Sequence, residues 1–359
     1  MSDGTVRIAF LDVGQGDTIV VSLPEQREAV VVDCIAADTL LEYLKHQSIS
    51  TVRALILTHL HADHYRQATA FLDNCERRIG ARCERLILNP LPEEELPLER
   101  LSDDHSDTNI SPVVRRTLYQ QLESWMLRNP LLVDSPHASV QLPIDGPLKS
   151  RIQFLHPFPA FLPRARAEGF NNSSIVLRVN AAGASAALLT GDIEPDGWRL
   201  LKLNPATVHL VKGNVLKFPH HGAWKNPNGR PANAHTFLEE VGAKIAIMSV
   251  GTEQKGYNHP DAHVFNAIRT RNIHLLCTEA TTKCGGAGVL KSRLKTLPIL
   301  EAHAQSCGHS AFLPSQGCPC AGSIVIDLDA GIRVLQPDES KHKDEIVGKV
   351  FSQGHKCPI

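Results

Sequence analysis

The sequence predicts an α/β protein, layered sheets with helices outside, and three observations carry that reading. Short β-branched and aliphatic runs alternate with amphipathic stretches over 359 residues, the pattern of sheets faced by helices. The chain opens on two paired runs, Val6 to Val13 and Thr18 to Leu23, joined by Gly14-Gln15-Gly16-Asp17. Glycines free to take positive φ make this a hairpin signal. The third observation is the aliphatic, β-branched run Val52 to Leu57, which ends in Thr58-His59-Leu60-His61-Ala62-Asp63-His64. A buried strand that delivers three imidazoles and a carboxylate to its tip sets what the rest of the chain has to serve.

The remaining elements follow in order. Ala29 to Asp33 reads as a strand ending in a carboxylate, and Thr39 to His46 as a short amphipathic helix feeding the Val52 strand. Arg85 to Asn89 is a further strand. From Glu93 to Asp107 seven carboxylates face one arginine, the composition of a solvated loop that would repel a nucleic-acid backbone. Ser111-Pro112 then offers an N-cap with proline at the first helical position, and Val114, Leu118, Leu122 and Trp125 keep helical spacing up to Asn129-Pro130. Residues 91–136 are therefore expected to be an insertion, either a lid or wall beside a pocket or a plain surface helix. Ile152 to Leu155, Ser174 to Val179 and Ala186 to Leu189 read as strands of a second sheet, Val215 to Phe218 leads into His220-His221, and Ala243 to Val250 reads as a buried strand. Ala262 to Thr270 reads as a helix, and Ile273 to Thr278 and Ser323 to Leu328 as closing strands. One domain is expected over residues 1–335, with a cysteine-rich loop at about 277–322 and a polar, loosely held tail over 336–359.

Bulk properties exclude some partners. Thirty-seven basic and 38 acidic residues leave a net charge of −1. No general cationic field draws such a protein to nucleic acid, so a polyanion has to be held by a local patch or by metal. The start, Met-Ser-Asp-Gly-Thr, has neither a charged leader nor an apolar core, and no apolar run approaches a membrane span. Nine cysteines, an odd number, fit thiols or metal ligands better than a disulfide framework. A cytoplasmic protein with no membrane partner is expected.

The chemistry is concentrated around Thr58. In extended geometry His59 and His61 fall on one side, because side chains alternate with period 2. Asp63 and His64 then begin a helix continuing through Gln67, Ala70 and Phe71. Two imidazoles at a strand tip, with a carboxylate and a third imidazole at a helix start, make a converging N/O set. That set suits Zn or Mn at an open, catalytic position.

The segment HLHADH resembles the HxHxDH signature of the metallo-β-lactamase superfamily. Four further stretches stand in that family's order: Phe10 to Asp17 (FLDVGQGD), Val32-Asp33, Leu189-Thr190-Gly191-Asp192, and Leu216 to Gly222 (LKFPHHG). Together they are similar to the soluble hydrolase domain of ComEC-type competence (DNA-uptake) proteins, over roughly Val6 to Leu335. The resemblance implies an αββα sandwich with a helical insertion. It implies that His59 and His61 bind one metal, that Asp63 and His64 bind a second, and that Asp192 bridges the two. His220 or His221 would complete the second site, with Asp33 and Asn172 standing behind the ligands. Two such cations, Zn or Mn, would lower the pKa of a bound water and clamp the oxygens of a phosphodiester, with Asp63 orienting the nucleophile. The stretch Phe170 to Leu177 (FNNSSIVL) lacks the further histidine that many members use at the first site. His156 and His137 lie nearby in sequence and could substitute for it, although a structural role is expected for each. His259, in Tyr257-Asn258-His259-Pro260, is the candidate for a catalytic group of near-neutral pKa that protonates the leaving alkoxide, or for a structural residue before the proline. Lys217 is expected at the rim, where it could contact substrate phosphate.

Cys277, Cys284, Cys307, His309, Cys318 and Cys320 fall within 44 positions. Cys284, Cys307, His309, Cys318 and Cys320 could hold an additional, structural zinc, or be buried thiols. The whole set points to a metal-dependent phosphodiesterase, and the resemblance to a nuclease acting on DNA. Basic residues that could track a strand are Lys225, Arg230, Lys283, Lys291, Arg293 and Lys295, with few aromatics between them. Near-neutral charge keeps open the hydrolysis of a small phosphodiester, such as a cyclic nucleotide or a phosphocholine-like ester. A third reading is a partner-binding component of a multi-gene system such as phage defence. The intact set His59, His61, Asp63, His64 and Asp192 counts against a domain without turnover.

Overall fold

The computed structural model describes residues 4–89, 112–135, 141–181, 183, 185–251, 259–279, 281, 320–328 and 331–336. The acidic stretch 93–107, His137, Lys283, Lys291, Arg293, Lys295, Cys284, Cys307, His309, Cys318 and the tail after Gln336 lie outside the described residues. Among the described residues, Cys320 alone represents the expected zinc set, and it is buried.

The elements run β1 (Val6–Phe10), β2 (Ile19–Leu23), β3 (Glu28–Val32), α1 (Ala37–His46), β4 (Thr51–Leu57), α2 (Ala62–Tyr65), α3 (Ala68–Ile79), β5 (Arg82–Cys83) and β6 (Leu86–Leu88). Then come α4 (Pro112–Arg128), β7 (Val133–Asp134), β8 (Ile152–His156), α5 (Leu162–Ala167), β9 (Val176–Asn180), β10 (Ala186–Leu189) and α6 (Pro195–Lys202). The last are β11 (Val215–Lys217), α7 (Ala234–Val241), β12 (Ile245–Met248), α8 (Ala262–Thr270), β13 (His274–Cys277), β14 (Ile324–Leu328) and β15 (Ile332–Gln336).

Two sheets result. One has the order β15-β14-β1-β2-β3-β4-β6-β7 with β5 beside β4, and the other the order β13-β12-β11-β10-β9-β8. Pairing is antiparallel from β15 to β3 and parallel from β3 to β7. In the second sheet β8, β9 and β10 are antiparallel and the rest parallel.

Alternation of side chains decides the layers. Val6, Ile8 and Phe10 of β1 and Ile245 and Ile247 of β12 enter a core shared by the two sheets, with Val21, Phe154, Leu177 and Leu189. Ala9 faces the other way, toward Leu40, Leu41 and Leu44 of α1 and Phe71 of α3. On the far side of the second sheet, Ala246 and Met248 pack under Trp198, Phe237, Leu238, Val264 and Ile268 of α6, α7 and α8. The layers are αββα, as the resemblance implies. Burying each aliphatic side chain in these cores contributes about 1.5–3 kcal/mol.

The structure decides two points the sequence left open and changes one expectation. The strand at Ser323 to Leu328 belongs to the first sheet, where β14 pairs with β1 from Val6↔Leu328 to Phe10↔Ile324, and β15 adds an edge beyond it. The helix expected to run from Asp63 through Phe71 is broken between α2 and α3. There the Gln67 N–H donates to the Cys34 carbonyl at 3.0 Å, and the Cys34 N–H donates to His64 O at 2.7 Å, so the loop after β3 replaces helical partners. The helical part of the insertion, α4, is a covering helix: Leu122 and Trp125 are buried in the outer layer, and Trp125 Nε1 donates to Asp73 Oδ1 of α3 at 3.0 Å. Among the described residues no helix is long and apolar enough to cross a membrane.

The topology brings several strand ends to one edge. Asp33 follows β3, His59 follows β4, Asp192 follows β10, the two histidines follow β11, and Ser249 follows β12. In open α/β sheets the carboxyl ends of parallel strands are where ligands bind.

His156 ends β8, fully buried, and its Nε2 stands 2.8 Å from the Asn172 carbonyl, to which the neutral ring can donate. Burial pushes its pKa down to about 4 from an ordinary 6.5. A histidine depressed on folding gives stability that is complete above its unfolded pKa and is lost as pH falls toward the folded value. Wild type should therefore lose about 2–3 kcal/mol more than His156→Gln between pH 7 and 4.5, measured by urea unfolding at both pH values. Equal losses would show that His156 is not held neutral.

Candidate metal centre

Backbone geometry at the shared edge is unusual. Asp33, His220 and His221 have φ of 59, 48 and 51 degrees, left-handed values that cost a non-glycine residue about 1–2 kcal/mol each. Strain gathered on three neighbouring side chains points to aim rather than accident. Gly16, with φ of +123, lies where a Cβ would overlap the carbonyl oxygen of Asp63. The Asp17 N–H donates to that same oxygen at 3.1 Å, so the hairpin loop can press against α2 only because residue 16 has no side chain.

Asp63, His64, Asp192 and His221 each bring a ligand atom within 4.8 Å of the others, and all four are buried. His64 Nε2 lies 3.2 Å and His221 Nε2 3.3 Å from Asp192 Oδ2, and His221 Nε2 lies 3.5 Å from Asp63 Oδ2. Neither Nε2 makes a directed hydrogen bond. The opposite nitrogens are committed: His64 Nδ1 pairs with Asp33 Oδ2 at 2.7 Å, and His221 Nδ1 with the Ser249 carbonyl at 2.7 Å. An imidazole anchored through Nδ1 to a carboxylate or a carbonyl presents Nε2 as a metal ligand. Two such nitrogens and two carboxylates converging without bonding one another fit a divalent cation.

His59 and His61 do share a side. His59 Nε2 is 3.0 Å from His61 Nδ1, and the His59 ring centroid is 4.2 Å from that of His64. Nitrogens of a tetrahedral zinc lie about 3.3 Å apart, so this pair could hold a second cation beside the first. Behind it, Ser174 Oγ lies 3.3 Å from His59 Nδ1 and accepts from the Asp192 N–H at 3.1 Å. Asp33 accepts from the Thr58 N–H and hydroxyl, both at 2.7 Å.

Charge at the centre is balanced internally. Burial works against the charged form of His64, but Asp192 and Asp33 outweigh it and hold the ring well above its ordinary pKa. The same contest raises His221 to about 9 through Asp192. Burial opposes ionisation of Asp192, yet His221, His64 and Lys217 hold it well below the carboxylate range. Burial, then repulsion from the neighbouring His64, pushes His59 well down.

Four expected site residues stand elsewhere. His220 is not in the four-residue cluster; the left-handed turn sends its Nδ1 to Glu194 Oε1 at 3.3 Å, and His221 alone faces the carboxylates. Asn172 is bonded to no ligand residue. Its Oδ1 accepts from the Gly197 N–H at 2.7 Å and its Nδ2 donates to the Glu168 carbonyl at 2.9 Å, ties that join α6 to the end of α5. Lys217 is not at the rim but completely buried. Val215 faces the inter-sheet core and Leu216 the outer layer, so alternation turns Lys217 inward. His259 is not near neutral pKa: burial, with His220 and His221 beside it, holds it far below, and its ring centroid lies 5.1 Å from that of His220. Asp17, Ser174 and Glu194 complete the surroundings without having been expected there. The signal for Asp17 was its place at the end of Gln15-Gly16-Asp17, a turn whose glycine has no local need for a carboxylate after it.

Comparison with known proteins gives matches of several kinds. Residues 11–104 match the metallo-beta-lactamase superfamily. ComE operon protein 3 of Bacillus subtilis (strain 168) is 26% identical over 294 residues, 76% of this chain and 32% of that protein. The chain thus spans about a third of the length of the curated relative it matches. Among solved structures, the short form of human tRNase Z is similar with a TM-score of 0.38 and 12% identity, covering 76% of this chain and 95% of that one. A metallo-beta-lactamase from Staphylococcus aureus subsp. aureus COL has a TM-score of 0.29 and 11% identity, covering 52% of this chain and 42% of that one.

The geometry separates the paired histidines. Titrated with Mn or Zn, His221→Ala should bind at least about tenfold more weakly than wild type, while His220→Ala stays within about threefold, because only His221 is anchored to face Asp192. Equal losses would reject this division. Because His221 is raised to about 9, a cation has to displace protons. Affinity should then rise at least about tenfold per pH unit from pH 6 to 8, read by calorimetry in buffers of differing ionisation enthalpy.

Proposed function

We propose that this chain, a metal-dependent hydrolase carrying a metallo-β-lactamase-superfamily domain, cleaves phosphodiester bonds and acts on DNA. The cofactors would be two divalent cations, Zn or Mn, one at Asp63, His64, Asp192 and His221 and one at His59 and His61. The observation that carries the reading is the buried four-residue cluster, in which both imidazoles turn Nε2 inward by committing Nδ1 elsewhere. The DNA assignment rests on the resemblance to ComEC-type competence proteins, and the likeness to ComE operon protein 3 supports it.

When bound, divalent cations supply Lewis acidity toward phosphate oxygens and make water more acidic. The chain's own groups do the rest. Asp63, 8% exposed and held ionised first by His221 against the pull of burial, orients the attacking water by accepting its hydrogen bond. Asp33 and the Ser249 carbonyl keep His64 and His221 in the tautomer that turns Nε2 toward Asp192, where a cation would be held. His220 is raised above its ordinary pKa by Glu194 in spite of burial, so it is the charged imidazole placed to give a proton to the leaving alkoxide. His259 stays neutral against it and walls that side.

A second reading, hydrolysis of a small phosphodiester, is favoured by the net charge of −1 and by the engagement of Lys225 with Asp261 at 3.1 Å. Incubation with Mn or Zn and labelled single- and double-stranded DNA, RNA, cyclic dinucleotides and bis-p-nitrophenyl phosphate separates the two. DNA should be cut, and Asp63→Ala and His64→Ala should each reduce the rate at least about a hundredfold. Turnover of the small esters with polynucleotide left intact would move the assignment to the second reading. No turnover of any substrate would overturn both.

A further inference from the structure

Lys217 is a buried ammonium at the shared strand edge that the proposed reaction does not use. It donates hydrogen bonds to the Gly191 carbonyl at 2.9 Å and to Asp192 Oδ1 at 3.2 Å, and it is ion-paired with Asp17 Oδ2 at 2.5 Å. The side chain starts opposite Leu189, its partner across the parallel β10–β11 pair. It therefore reaches along the sheet's inner face to the turn that carries Asp192. The two oxygens of Asp192 are thereby divided. Oδ1 belongs to Lys217, and Oδ2 is left to His64 and His221.

We propose that Lys217 is a positioning residue for the cation at Asp63, His64, Asp192 and His221, a role that rests on the metal site proposed above. By taking Oδ1, the ammonium stops Asp192 from turning about its soft terminal torsion, so a single oxygen is offered to the cation in a fixed direction. Asp17 secures the far side of the ammonium. A purely structural ion pair accounts poorly for this arrangement. Buried pairs give little net stability, and removing both partners together is often tolerated, whereas Lys217→Met and Lys217→Arg would each lose the contact to Asp192. Arginine would not serve, since its planar, five-donor fork does not match three oxygens arranged around a point charge.

The test removes the charge pair as a unit. The double variant Asp17→Asn/Lys217→Met, Asp17→Asn alone, Lys217→Arg and wild type are titrated with Mn alone, by calorimetry and by the paramagnetic resonance of bound Mn. The double variant should fold, by circular dichroism and sedimentation, yet bind Mn about 10–100-fold more weakly. Asp17→Asn, which keeps the Lys217–Asp192 contact, should lose less, and Lys217→Arg should not restore wild-type affinity. Wild-type affinity in the double variant would overturn the proposal. So would failure of the double variant to fold, which would make the pair a requirement of the fold itself. No phosphodiester enters this titration. Weakened Mn binding in a protein that cuts nothing would remove the proposed function and leave Lys217's role standing, whereas DNA cleavage with unchanged Mn binding in the double variant would do the reverse.

Discussion

Four carboxylates, those of Asp17, Asp33, Asp63 and Asp192, are buried together at one edge of two stacked sheets. Everything else at that edge answers the cost of putting them there. An ionised carboxylate taken out of water is penalised by several kcal/mol unless charge and hydrogen bonds compensate. Lys217 meets Asp17 and Asp192, His64 lies between Asp33 and Asp192, and His221 lies between Asp63 and Asp192. Thr58 gives Asp33 two further donors. The negative charge is shared through a connected network, so the position of each member depends on its neighbours. The same density of anionic oxygens and anchored imidazoles makes the edge attractive to a divalent cation.

The sandwich supplies what a flexible loop could not. Residues that meet at the centre come from after β3, β4, β10 and β11, far apart in sequence and brought level by parallel pairing. The turns that aim them carry left-handed residues and glycines, and these persist because rigid strands on either side determine the backbone path. Outside the centre, Asn172 and His156 tie the short segment before β9 to α6 and β8, so Ser174 is held where it touches both His59 and Asp192.

What could be read from the sequence follows the distance over which each rule acts. The His59–His61 pairing needed only the alternation of an extended strip, and the layers needed only the repeating apolar faces of Val6, Ile8 and Phe10 or Ile245 and Ile247. The choice between His220 and His221 depended on two consecutive left-handed residues, which no periodicity announces. Lys217 was legible in principle, since Val215-Leu216-Lys217 alternates into the core. A general preference of lysine for water outweighed that local pattern. Ser174 rather than Asn172 touches the ligands because a short turn over 170–173 rotates the chain before β9, a detail set by tertiary contacts. The signal for Asp17 was present in the motif, but its partner, Lys217, lies 200 positions downstream.

The pairing of β14 with β1 carries a consequence for how the molecule comes into being. The strand that leads to Asp17 is flanked on one side by its own hairpin partner and on the other by residues 324–328. During vectorial synthesis on a ribosome, that second flank does not exist until the long stretch between β1 and β14 has emerged. An uncovered strand edge recruits other chains, so nascent copies are exposed to mispairing for much of translation. β14 works as a latch: until it is made, the strand that leads to Asp17 is held on one flank alone.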